Sequence, residues 1–105
     1  MMADRIEALR NMLARNPSDA RALFGLAAEY EKRSDWQQVV SHLEQYLGMT
    51  EDQGNAWGRL ARGYLQLGET DKAIAAYQRG AEQARRHGHP SMAAEFEEAV
   101  DLINS

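Results

Sequence analysis

Apolar residues recur every three or four positions from one end of this chain to the other, and nowhere do they alternate. The pattern predicts helices and no strands. A first helix near 3–15 carries Ile6, Leu9, Met12 and Leu13 on one face, and Asn16-Pro17-Ser18-Asp19 ends it and opens the next. Proline blocks continuation, and Ser or Asp caps a following N-terminus. The second helix, near 20–33, carries Leu23, Leu26, Ala27 and Tyr30. Ser34-Asp35 breaks it before a third, near 36–48, with Val39, Val40, Leu43 and Leu47. Gly48 supplies a stop, and Thr50 with Gln53 has capping-box spacing ahead of a fourth helix near 54–67. Gly68 closes that one, a fifth follows near 70–86, and Gly88-His89-Pro90-Ser91 turns into a sixth. Its stripe is Met92, Phe96, Val100 and Ile103. Connections this short fold consecutive helices back antiparallel, giving an all-α chain.

The chain also repeats itself. A shift of 34 residues lays Leu23 on Trp57, Leu26 on Leu60, Ala27 on Ala61 and Tyr30 on Tyr64. It also lays Val39 on Ala73, Leu43 on Tyr77 and Leu47 on Ala81. Trp57-x-x-Leu60-Ala61-x-x-Tyr64, followed by Gly68, Ala73 and Tyr77, resembles the tetratricopeptide repeat. The resemblance implies an antiparallel helix-hairpin solenoid of about six helices in a right-handed superhelical array. Residues 1–105 then form a single domain: a half-repeat helix at 3–19, repeats at 20–53 and 54–87, and a capping helix at 88–105. Large residues (Trp57, Leu60, Tyr64, Tyr77) are expected to fill gaps between helices that small ones (Ala27, Ala61, Ala73) let approach closely. The chain departs from the pattern at Ser34, where a turn glycine is usual, and at Glu51 and Arg85, where the closing proline is missing. The last helix is out of register, since strict phase would pack Ser91, Ala94, Glu95 and Glu98. That favours a cap over a third repeat, because a short array must hide its last apolar face.

Composition narrows the chemistry. Twelve Lys and Arg against sixteen Asp and Glu leave a formal charge of −4, which argues against general duplex-DNA binding. There is no cysteine, so disulfides, thiolate catalysis and Cys-based zinc sites are excluded. No apolar run reaches membrane-spanning length and none has signal-peptide shape, so the expected location is cytoplasmic. No nucleophile elbow or phosphate loop occurs, and His42, His87 and His89 lack the spaced partners of a metal site. No catalytic residue, metal or cofactor is expected.

In arrays of this family the first helix of each pair lines the concave surface, where partners lie. The resemblance puts Arg21, Phe24, Gly25, Ala28 and Lys32 there from repeat one, and Asn55, Gly58, Arg59, Arg62 and Gln66 from repeat two. Helical spacing independently groups most of them on two stripes. None is acidic, so a basic groove on a net-acidic chain is expected, with the three glycine and alanine positions leaving room for a ligand backbone. Guanidinium groups capture carboxylates in bidentate fashion, and Phe24 would anchor an apolar side chain. Relatives that grip a C-terminal carboxylate carry a clamp lysine and asparagine where this chain has Phe24 and Ala28, which argues against that mode. The expected function is a non-catalytic scaffold for a protein or peptide partner, acidic in character. Self-association into a homo-oligomer is the alternative. Single-stranded nucleic acid ranks below both, because exposed aromatics are few.

Overall fold

The computed structural model of the chain describes residues 4–105. Among these residues six helices follow one another: α1 (Arg5–Arg15), α2 (Ala20–Lys32), α3 (Trp36–Met49), α4 (Asn55–Gln66), α5 (Thr70–Arg86) and α6 (Pro90–Asn104). No strand occurs among the described residues, and the expected start of the first helix at residue 3 lies outside them. The helices form two compact units, the first ending at Thr50 and the second spanning Glu51–Ser105. In the first, α2 packs against both α1 and α3; in the second, α5 packs against both α4 and α6.

Local chemistry sets the helix ends. Asp4, Asp19 and Asp35 each accept a hydrogen bond from a backbone N–H of the first turn, those of Ile6, Ala22 and Gln38 at 3.1, 3.1 and 3.4 Å. This satisfies donors that a helix start otherwise leaves unpaired. The α4 start corrects the sequence expectation. Thr50 and Gln53 form no capping box: the Thr50 hydroxyl donates to the Tyr46 carbonyl, and Gln53 Oε1 lies 2.7 Å from His89 Nε2. The cap is Asp52, whose Oδ2 accepts from the N–H groups of both Gly54 and Ala56 at 2.8 Å. Gly54 adopts φ 125°, a backbone that side chains disfavour, and so brings its N–H onto that carboxylate.

The 34-residue repeat is visible in the backbone turns. Ser34 (φ 57°) and Gly68 (φ 76°) are both left-handed. Behind them the N–H of Asp35 reaches the Tyr30 carbonyl at 3.0 Å, and that of Glu69 the Tyr64 carbonyl at 2.8 Å. This is the Schellman closure of a helix C-terminus. Ser34 makes the turn that glycine makes more easily 34 residues later.

The two units fill their interiors differently. The first buries branched aliphatics, with Leu23, Leu26, Leu43 and Val39 the largest fully enclosed side chains, joined by Ile6, Leu9 and Tyr30. The second is lined with alanine (Ala56, Ala61, Ala73, Ala76, Ala81, Ala84 and Ala93), with Leu60 and Tyr64 as large buried hydrophobic residues and Gln83 buried among them. Trp57 and Tyr77 are half-buried rather than enclosed. The expected division between bulky and tiny positions therefore holds at Leu60, Tyr64, Ala27, Ala61 and Ala73.

In the second unit α6 docks by packing Met92 and Phe96, with its own Ala93, against Ala81 and Ala84 of α5. The Phe96 ring lies in a slot between two glycines. A Cβ on Gly58 would meet it at 2.6 Å, and one on Gly80 at 2.9 Å. Ordinary carbon contacts are about 3.5–4.0 Å, so the slot exists only because both positions lack a side chain.

Candidate functional site

The residues singled out from the sequence lie on one stripe of α2 and one of α4, each within its own unit. A helix turns 100° per residue, so Asn55, Arg59, Arg62 and Gln66 fall within a narrow sector of α4. Trp57, Leu60, Ala61 and Tyr64 occupy the opposite side. Asn55, Arg62 and Gln66 are exposed and Arg59 is half-buried. No acidic residue occurs anywhere on α4, and Arg62 has no ion-pair partner among the described residues. On the opposite side of α4, Arg79 of α5 lies over the Trp57 ring, 5.0 Å from its centre. The α4 stripe is therefore a short cationic one flanked by neutral amides, on a helix that carries no carboxylate of its own. Its guanidinium groups suit carboxylate oxygens, and its amides suit an extended backbone.

The α2 stripe is more occupied. Arg21 is exposed without an ion-pair partner among the described residues. Phe24 is half-buried with its ring 5.0 Å from that of Tyr46 on α3, so part of its face already packs within the unit. Lys32 pairs with Glu29 at 3.0 Å, and Arg5 of α1 reaches the same carboxylate at 3.3 Å. Glu29 is thus largely sheltered, and Lys32 is held in an intramolecular pair rather than left for a ligand.

Two of the small positions do not provide the room expected of them. Gly58 is filled by Phe96, and Gly25 faces the Leu9 methyls, 3.1 and 3.3 Å from where a Cβ would sit. Both serve helix packing within their own unit. Residue spacing carries no sign of this, because a helical wheel does not say which other helix arrives over a glycine.

Other polar groups are structural. Arg33 holds the Asp4 carboxylate through both oxygens at 3.0 Å, tying the start of α1 to the end of α2. The Ile6 backbone N–H, then the Arg33 hydrogen bond, keep the Asp4 carboxyl below the usual aspartate range. Arg10 donates to the Tyr30 hydroxyl. His42 Nδ1 sits 2.7 Å from the Gln38 carbonyl, and its ring stacks on Tyr30. His87 lies 3.9 Å from Glu51, and His89 holds Gln53, so both turn histidines hook onto the segment before α4. Among the described residues no three His, Asp or Glu side chains converge to hold a metal ion. No helix among them is long and apolar enough to cross a membrane.

Comparison with known proteins bears on the fold. A family model of the tetratricopeptide repeat matches residues 30–94. A Bordetella parapertussis protein whose structure was determined in solution is similar to this chain, with a TM-score of 0.80 and 21% sequence identity. The match covers 98% of this chain and 90% of that one. No curated protein matched.

Proposed function

The chain belongs to the tetratricopeptide repeat family, whose repeats generally mediate protein–protein interaction, and from that premise we propose a non-catalytic scaffold that binds an acidic peptide segment. The observation that carries this reading is the α4 stripe: exposed Arg62 between the amides of Asn55 and Gln66, with half-buried Arg59 beside it, opposite the helix's packed side and on a helix that bears no carboxylate. Arg62 and Arg59 take the ligand's carboxylates, and Asn55 and Gln66 take its backbone amides. Arg21 and Phe24 of α2 present a second stripe of the same chemistry, whereas Lys32 contributes less because Glu29 holds it. The reading keeps residues 1–105 as one domain, with repeats at 20–53 and 54–87 and α6 as the cap.

The test is a titration of the full chain with a synthetic Asp/Glu-rich peptide, alongside a Lys-rich peptide of equal length. Arg62→Glu, and the Arg59→Glu/Arg62→Glu pair, should weaken acidic-peptide binding by about tenfold or more, since like charges then face each other. Added salt should weaken the unmodified chain's binding, because exposed pairs are screened within about 10 Å at 0.1 M. Helical circular dichroism should not change. Equal affinity of parent and double variant rejects the α4 assignment, and Arg21→Glu tests the α2 stripe separately.

A further inference from the structure

The second unit also has an open cleft of about 440 Å³ between α5 and α6, lined by none of the α4 stripe residues. Tyr77, Ala81, Phe96 and Val100 form its floor, and Glu97 and Asp101 stand on its α6 rim. The Tyr77 and Phe96 rings meet at 5.5 Å, and both are only half-buried, as is Val100. The first unit shows what this place looks like when covered. There α2 is the second helix of an antiparallel pair, as α6 is here, and α3 packs over it. Counting from the helix starts at Asp19 and His89, Leu26 and Tyr30 of α2 fall on Phe96 and Val100 of α6. Leu26 is 0% and Tyr30 5% exposed, and the Tyr30 ring is covered by His42 of α3. The α6 counterparts keep the apolar character without that cover.

Charge indicates what would cover them. From Pro90 to Ser105 the chain holds Glu95, Glu97, Glu98 and Asp101 and no Lys, Arg or His, as much negative charge as the whole chain carries net. Only Glu97 is compensated, by Arg85 of α5; Glu95, Glu98 and Asp101 have no ion-pair partner among the described residues. Asp101 also lies in the last turn of α6, where the helix dipole disfavours an anion, and no basic residue shares that turn.

We infer that the α5–α6 cleft is a docking site for an amphipathic helix of another protein, apolar on the face laid against Tyr77, Phe96 and Val100 and bearing Lys or Arg beside Asp101. The helix takes the place over α6 that α3 takes over α2. Its apolar residues fall at the i, i+3, i+4, i+7 spacing by which a helix reads a groove. The site shares no residue with the α4 stripe and does not depend on the function proposed for it.

The experiment titrates the full chain, followed by amide NMR, with a designed sixteen-residue peptide carrying Leu at that spacing and Lys on the flanks. Two further peptides serve as comparison: the same composition scrambled to destroy the period, and the periodic sequence with Glu for Lys. The Lys-flanked helix should shift resonances around Tyr77, Ala81, Phe96 and Val100, and the scrambled peptide should not. Asp101→Lys, a surface change that leaves the core intact, should weaken the Lys-flanked peptide about tenfold and strengthen the Glu-flanked one. Arg62→Glu should not weaken it. Equal shifts with the scrambled peptide, shifts confined to α4, an unaltered preference in Asp101→Lys, or no binding at millimolar peptide would each overturn the inference.

Discussion

Replacing Gly58 with alanine tests how α6 is held. In an open helical position this change stabilises, by about 0.8–1 kcal/mol, because glycine has more backbone freedom to lose. At Gly58 the new methyl would lie 2.6 and 2.7 Å from Phe96 Cζ and Cε1. Relief requires the ring to withdraw by about 1 Å to reach normal contact. It cannot slide toward α5, since Gly80 already meets its other edge, where even a Cβ would sit at 2.9 Å. The ring must leave the slot, and overpacking of this kind costs about 1–3 kcal/mol. Set against the helix gain, Gly58→Ala should fail to stabilise and should cost up to roughly 2 kcal/mol. That lowers Tm by about 4–8 °C per kcal/mol in a chain of this size. Gly48 is the internal control: it lies in α3 with nothing within 4 Å of a Cβ, so Gly48→Ala should be neutral or stabilising. Urea and thermal melts of Gly58→Ala, Phe96→Leu and the double variant complete a cycle, and the smaller Leu should relieve most of the alanine's cost. If Gly58→Ala stabilises like Gly48→Ala and is additive with Phe96→Leu, the slot does not constrain α6 and the packing account is wrong.

Two further predictions concern helix starts. Asp52→Ala removes the acceptor shared by the Gly54 and Ala56 N–H groups and should cost about 0.5–2 kcal/mol in chemical denaturation, with Asp52→Asn retaining most of that stability. For Asp4, the Ile6 N–H and then Arg33 favour the charged carboxylate, so its folded pKa lies below its unfolded one. The unfolded chain then binds more protons, so the contribution is present above about pH 3.9, the unperturbed aspartate value, and is lost as pH falls through the folded pKa. A carboxyl NMR titration should place the Asp4 midpoint below that value, and Arg33→Gln should move it only part of the way back. A midpoint at or above the unperturbed value would contradict the assigned cause.

The fold was legible because its signals are local. Proline, aspartate and glycine punctuate a 3.6-residue apolar period, and a 34-residue shift brings Tyr30 onto Tyr64 and Ser34 onto Gly68, where the backbone repeats the same left-handed turn. The helix bounds follow to within a residue or two at most ends. What stayed hidden depends on which helix meets which. Gly58 read as space for a ligand, since only the placement of α6 puts Phe96 over it. At α4 the Thr50–Gln53 spacing fits a capping box, whereas Asp52 caps through a turn with φ 125° at Gly54. Lys32 read as a groove cation, although Glu29 stands three residues before it on the same helix face. The α5–α6 cleft could not be seen at all, because depth belongs to a pair of helices rather than to either one.

The alanine lining of the second unit has a consequence for how its sequence can drift. A leucine or valine interior accommodates a new neighbour by turning side chains into other rotamers; alanine has no such torsion to turn. Where Ala73, Ala76, Ala81 and Ala84 of α5 sit buried, the distance between backbones is itself the fit, and any larger residue has to be met by moving a whole helix. Mutational change in that half is therefore confined to its outward faces, while the leucine-rich half can exchange one hydrophobe for another.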